Sequence, residues 1–447
     1  MKITFIGAGS TVFVKNIIGD CMLTEPLRDA TVALYDINSQ RLQESKAMLD
    51  TLNGNINGGR AAIETWLGTE QRREALRGAD FVVNAIQVGG YEPSTVIDFQ
   101  VPKKYGLRQT IADTLGIGGI FRALRTIPVM LDFARDMEEV APDAWLLNYT
   151  NPMAMVMGAV LHATGVRAVG LCHSVQACVP RLLERLAMEH DAADTKWQIA
   201  GINHQAWLLE LKAAGADLYP EVKRRAAEMN CAARAGGGKH DDMIRFEMMR
   251  HFGYYVTESS EHSAEYFPYW IKSTHPELIE EFNIPLDEYI RRCIRQIERW
   301  RTQSATMVGN PGLGHERSVE YGSRIMEAIV TDTPYRIHGN VLNDGFIGNL
   351  PAAACVEVPS LVDRNGVQGC VVGDLPEPCA ALNRTNVNVQ LLTVEAALER
   401  RRDRIYQAAM LDPHTASELS LDQIASMCDE LIEAHGDLLP AYRGNGV

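Results

Sequence analysis

The chain has 447 residues, of which 46% are hydrophobic and 22% charged, with a formal net charge of −14 at pH 7. This length suits two or three lobes, or one large α/β unit with insertions, and the apolar share can fill a large core. The negative charge is scattered without a long single-sign block, which excludes a nonspecific nucleic-acid or anionic-membrane surface. Nine cysteines without a CxxC pair read as reduced, mostly buried thiols. The apolar run from Ile3 is too short for a signal peptide, and no stretch of about 18 uncharged apolar residues reads as a membrane span. A cytoplasmic protein is expected.

In chain order, Ile3 to Gly7 predicts a buried strand entering a tight turn, and Thr31 to Asp36 a second strand ending on an acid. Ala79 to Ala85 predicts a third strand, with Asn84 at its end. Trp145 to Pro152 predicts a fourth, and Val166 to His173 a fifth. Helical patterns lie between them, for example from Arg122 to Val140. Alternation of this kind predicts an α/β fold with a Rossmann-like doubly wound parallel sheet over residues 1–190. Beyond it, Trp197 to Leu211 reads as a strand and loop, and residues 220–252 as charged helix with a glycine-rich interruption at 236–238. Tyr254 to Trp270 is polar and aromatic, and Leu286 to Arg301 is a long helix. His338 to Leu350 is rich in Gly and Asn, Ala354 to Val358 is strand-like, and Val394 to Leu411 is helical. Residues 191–447 are therefore expected to form a mixed α+β domain. No repeat or low-complexity segment interrupts the pattern.

The predicted strands all end in polar residues, and ligands of open α/β sheets bind at that edge. Gly7-Ala8-Gly9-Ser10 follows a strand and opens a helix, as a pyrophosphate-binding turn does, although Val12 stands where GxGxxG has its third glycine. Asp36 ends the next strand, where an acid binds the ribose 2′-OH of NAD and repels the 2′-phosphate of NADP. Cys172 and His204 offer a thiolate and an imidazole to a divalent transition metal; a packed cysteine beside hydrogen-bonded histidines is the alternative. Asn148 and Asn151 can fix sugar or ribose hydroxyls, or serve turn chemistry before Pro152. Asp113, in a glycine-rich stretch, can act on protons or hydroxyls, or cap a helix. Residues 257–266 gather three carboxylates with His262 and Tyr266. Read this far, the residues imply an NAD-dependent oxidoreductase, metal-assisted in one version.

The set Gly7-Ala8-Gly9-Ser10, Asp113-Thr114-Leu115-Gly116, Asn148-Tyr149-Thr150-Asn151-Pro152, Gly170-Leu171-Cys172-His173-Ser174 and Gly201-Ile202-Asn203-His204 resembles glycoside hydrolase family 4. The resemblance runs from Ile3 to His414. Gly89-Gly90-Tyr91-Glu92-Pro93 and Glu258-Ser259-Ser260-Glu261-His262 bring it nearest the family's melibiase-type α-galactosidases. This family is the NAD-dependent exception to two-carboxylate glycosidases. The resemblance implies oxidation of the sugar at C3 by bound NAD, metal-assisted removal of the C2 proton, elimination of the C1 leaving group, water addition and re-reduction, with Mn²⁺ the usual metal. It implies Cys172 and His204 as metal ligands. It implies Gly7, Gly9, Ser10, Asp36 and Asn84 around the cofactor, and Asn148, Asn151 and Arg122 around an α-glycoside substrate. Branches acting on 6-phosphosugars carry Asp or Asn after the cysteine. His173 stands there instead, which argues against a phosphosugar and makes His173 the acid for the leaving group. Asp113 would face the reacting sugar, and the C2 base would come from Tyr266, Glu261 or His262. A homodimer or homotetramer is implied.

Three other readings compete. An α-glucosidase or α-galacturonidase of the same family would differ only in the sugar; a uronate would need a cationic clamp, for which Arg122 and Arg125 are the candidates. A hydroxy-acid dehydrogenase would share the N-terminal turn but release NADH. A noncatalytic NAD-binding regulator would have no use for the Cys172–His204 pair.

Overall fold

The computed structural model describes residues 1–188 and 194–443, so the domain boundary expected at 190/191 lies outside the described residues. Six strands alternate with helices from the N-terminus: β1 (Lys2–Ile6), β2 (Thr31–Asp36), β3 (Ala62–Leu67), β4 (Phe81–Asn84), β5 (Trp145–Asn148) and β6 (Arg167–Gly170). They run parallel in the order β3-β2-β1-β4-β5-β6. This is the doubly wound order, and its switch point lies between β1 and β4, where such sheets bind ligands. β1, β4 and β5 are almost wholly buried, as expected of parallel strands covered by helices on both faces.

The sheet does not stop at β6. β7 (Thr195–Ile202), β8 (Gln205–Ala213), β9 (Ala216–Asp217), β10 (Tyr255–Val256), β11 (Tyr335–Leu342), β12 (Cys355–Asp363) and β13 (Gly366–Gly369) extend it antiparallel. Beyond β6 the order is β11-β12-β7-β8-β10. The seam is narrow: β6 meets β11 at Asn340↔Gly170, and β12 meets β7 at Glu357↔Gly201. A single apolar cluster joins both halves, from Ile6 and Phe121 to Trp207, Val356 and Leu431. No helix among the described residues is long and apolar enough to cross a membrane.

Several expectations change. β3 was not expected, because its residues are exposed or half-buried along its length and carry no apolar run. The Gly/Asn-rich stretch after His338 begins inside β11. There Gly339 leaves room for Val169, and Asn340 is fully buried against the Gly170 carbonyl. The helix expected from Arg122 starts at Gly116 and runs to Val140. Gly118 and Gly119 belong to its first turns, and a Cβ on either would lie 2.6–2.7 Å from the Ala112 or Thr114 backbone. Those glycines seat the Asp113 loop against the helix. Tyr254 to Trp270 contains β10 and a buried helix, Ser260–Tyr266. The C-terminal helical stretch divides into Glu377–Glu399 and Arg402–Leu411, separated at Arg400 in the left-handed region (φ 57°).

Candidate active site

A cavity of about 1110 Å³ opens at the carboxyl edge of the parallel strands. At one end lie Ser10 and Phe13 of the first helix, Thr11–Met22, with Ile86 and Gln87 beyond β4. Gly7 has φ +84°, and a Cβ there would meet the Ala85 carbonyl group at 2.9 Å. A Cβ on Gly9 would lie 2.9 Å from Asp36 Oδ2. Gly7 therefore requires glycine, and a side chain at Gly9 would push the Asp36 carboxylate from the turn. Ser10 makes no side-chain bond to the helix start, so the first N–H groups of that helix remain available to a phosphate. Asp36 accepts from the Gly9 N–H at 2.6 Å and the Asn38 N–H at 2.8 Å, which holds its carboxylate beside the glycine turn. Val12 replaces the third glycine without harm because its side chain is 48% exposed, away from the sheet. This turn, helix end and acid fit a dinucleotide.

At the other end, β6 delivers Cys172 and the β7–β8 hairpin delivers His204. The Cys172 Sγ to His204 Nε2 distance is 3.2 Å. The hairpin turn holds His204 at φ +61°, and Glu258, two residues past β10, stands at φ +70°. Left-handed backbone at residues other than glycine costs about 1–3 kcal/mol each and is retained where surrounding structure imposes it. Cys172, His204 and Glu258 offer ligand atoms within 4.8 Å of one another; Asp113, His204 and His262 form a second such group. Burial acts to raise the Cys172 thiol, but the charge of and hydrogen bond to His204 outweigh it and bring it down. Burial acts to lower His204, yet Cys172 and Glu258 raise it to about 10. Cys172 Sγ and His204 Nε2 therefore face one proton position that a divalent cation can take, and a soft sulfur ligand with imidazole and carboxylate suits a transition metal. The donor set fits.

The surrounding groups hold this pair. Tyr321 Oη accepts from the Cys172 N–H at 2.9 Å and donates to its carbonyl at 3.0 Å. His204 Nδ1 faces Thr114 Oγ1 at 3.1 Å and Tyr266 Oη at 3.4 Å. His173 begins the helix His173–Arg185 and points its Nε2 at Glu320 Oε2, 2.6 Å away. That bond, more than the opposing effect of burial, raises the His173 pKa above its ordinary value. Asp113 is buried, which acts to raise it, but His262, Arg122 and His204 hold its carboxyl well below the usual range. Asn151 Nδ2 donates to Asp113 at 3.4 Å. Arg122 lines the cavity and donates to Tyr289 Oη at 3.2 Å.

Several expected contacts do not face the cavity. Asn84 and Asn148 are fully buried one layer behind it. They are register partners on β4 and β5, so Asn84 Nδ2 donates to Asn148 Oδ1 at 2.7 Å, and Asn148 Nδ2 donates to the Thr150 carbonyl at 3.0 Å. Their amides brace the strand ends. Glu261 lines the cavity but is engaged by Arg292. Tyr266 is fully buried behind His204, and burial pushes its hydroxyl further from ionisation. Arg125 lies in a buried ion pair with Asp98 and cannot clamp a uronate. Sequence reasoning missed Glu320, Tyr321 and Tyr289, which no motif marks, and passed over Glu258 within a segment it had singled out. Glu265, in that same segment, accepts from the Thr110 and Ala112 N–H groups at 2.8 Å each and fixes the loop that carries Asp113.

The chain matches known proteins along most of its length. The model of family 4 glycosyl hydrolase matches residues 2–188, and that of the family 4 glycosyl hydrolase C-terminal domain matches residues 199–415. The chain is 60% identical over 442 residues to an alpha-galactosidase of Bacillus subtilis (strain 168), covering 99% of this chain and 100% of the relative. It is 35% identical over 453 residues to an alpha-galactosidase of Rhizobium meliloti (strain 1021), covering 99% and 89%. Among solved structures, the 6-phospho-beta glucosidase from Thermotoga maritima, determined with manganese, NAD+ and glucose-6-phosphate, has a TM-score of 0.76 at 19% identity, covering 97% and 98% of the two chains; this likeness concerns the fold. The chain belongs to glycosyl hydrolase family 4.

Proposed function

We propose that this protein hydrolyses α-galactosides by the oxidation–elimination route, with NAD and a divalent metal, Mn²⁺ by family precedent, as resident cofactors. The observation that carries the reading is that one cavity joins a dinucleotide turn to the Cys172–His204 pair. The 60% identical relative supports galactose as the sugar. Bound NAD would supply a reversible hydride acceptor and the metal a Lewis acid.

The chain's own residues do the rest. Gly7, Gly9 and Ser10 seat the dinucleotide, and Asp36 takes its ribose. Cys172, His204 and Glu258 hold the metal. Asp113 and Asn151 meet the sugar hydroxyls, and Arg122 lines the wall beside Asp113. His173, kept protonated by Glu320, gives its proton to the leaving oxygen. The C2 proton goes to a base in the segment 257–266. There Glu261 and His262 line the cavity beside Glu258, whereas Tyr266 reaches it only through His204.

The nine free cysteines support a reducing, cytoplasmic location, and family resemblance supports a homodimer or homotetramer. One observation favours a second reading: the Arg122 guanidinium on the wall is the cation a galacturonide would need.

The test follows nitrophenol and NADH together while the protein acts on p-nitrophenyl α-galactoside, with Mn²⁺, NAD⁺ and a thiol omitted in turn. The expected result is release that needs metal and NAD⁺ without accumulation of NADH. The α-glucoside and α-galacturonide run beside it rank the sugars. Release from none of them, with NADH accumulating on a hydroxy acid, would leave an ordinary dehydrogenase.

A further inference from the structure

The cavity continues past His173 along one helix. From His173 the helix His173–Arg185 presents Ala177, Arg181, Glu184 and Arg185 to the same cavity. This spacing of about four residues keeps them on one face. At about 1.5 Å per residue, the lined face reaches roughly 18 Å from His173. Arg185 is committed to Asp241, 2.5 Å away. Arg181 and Glu184 are exposed, and among the described residues neither side chain has a hydrogen bond or ion pair.

We propose that this helix face is the subsite for an oligosaccharide leaving group, with Arg181 as the specificity-determining contact to its nearer sugar and Glu184, about 16 Å from His173 along the helix, to the sugar beyond. The inference rests on the α-galactosidase reading, with His173 as the acid. An acid that protonates the leaving oxygen fixes where the leaving group begins, and the helix that starts at that acid forms the wall beside it. The chemistry of the wall selects the ligand. A guanidinium donates to hydroxyl oxygens and a carboxylate accepts from hydroxyl hydrogens, so an adjacent pair of opposite character suits a polyhydroxylated group. A methyl leaving group reaches neither residue.

The experiment compares a trisaccharide of galactose α-linked to a disaccharide with methyl α-galactoside, reading kcat/KM for each by galactose release. Wild type is set beside Arg181→Ala, Glu184→Ala and the double variant. The expected result is that the preference for the trisaccharide falls about tenfold in the double variant, the effect of losing one or two charge-assisted hydrogen bonds. A disturbance of the helix, or of His173 through the loss of the Arg181 charge, would depress both substrates alike. An unchanged ratio in the double variant overturns the subsite. If wild type releases galactose from neither substrate, the α-galactosidase reading fails first and the subsite with it.

Discussion

The two ends of the cavity are built from different materials. The dinucleotide end is mostly backbone: a glycine turn, a helix start and one acid, all between residues 7 and 36. The other end is assembled from side chains at Asp113, Cys172–His173, His204, Glu258–His262 and Glu320, which come together only when the antiparallel strands continue the sheet past β6. Backbone sites tolerate variation in side chains that point away, as Val12 does. Side-chain sites depend on each group and on whatever holds it. The two ends should therefore fail separately when mutated.

The largest effect is expected at the side-chain end. Cys172→Ser or His204→Ala should remove metal binding and lower kcat on the order of 10³-fold or more, the equivalent of several kcal/mol of lost charge stabilisation. NAD affinity, measured by fluorescence titration, should stay near wild type. Loss of both affinities together would break the separation. His173→Gln should cost about 10²–10⁴-fold, more for a sugar leaving group than for nitrophenol, which needs less protonation. The pH profile gives the sign. The acid must carry its proton, and Glu320 raises the His173 pKa, so activity falls as pH rises through that raised value. Glu320→Gln should move this alkaline limb downward, toward the ordinary histidine value of 6.5. A limb that does not move would show that Glu320 has no part in holding the proton.

Asp36→Ala should weaken NAD by about 10- to 100-fold, for the loss of charge-assisted bonds to the ribose, while Mn²⁺ affinity stays unchanged. The smallest change concerns stability. Burial raises Glu265 to about 7, against the pull of the Ala112 and Thr110 N–H groups. The folded chain thus holds this proton more tightly than the unfolded chain, whose ordinary value is 4.5. The stabilisation is complete below 4.5 and is lost as pH rises through about 7. Glu265→Gln should flatten this part of the stability curve in urea titrations, at a cost of about 1–3 kcal/mol from weakened bonds to the Asp113 loop.

The same contrast explains what was readable in the sequence. The glycine turn and Asp36 could be found because a backbone site leaves a local pattern: strand, glycines, helix and acid in fixed order. Cys172 and His204 stood out as a thiol and an imidazole at strand ends, but no local spacing pairs them, and their joint role rested on the motif resemblance. Glu320 could not be found at all. It lies in irregular chain, and only the fold turns it toward His173. Asn84 and Asn148 mark the limit of such a pattern, because a polar strand end looks alike whether it faces the cavity or an equal partner on the next strand, and these two face each other. β3 was missed because it buries too little apolar surface to show a period, and β11 because Gly339 and Asn340 suit a seam between strands while resembling a loop.

The most direct measurement is hydrolysis of an unlabelled α-galactoside in D₂O by enzyme loaded with NAD⁺ and Mn²⁺, with the released galactose examined by NMR. Removal of the C2 proton to a base open to solvent predicts deuterium at C2, and return of the same hydride predicts none at C3. Galactose without deuterium at C2 would mean that the C2 bond was never broken and would contradict the oxidation–elimination account.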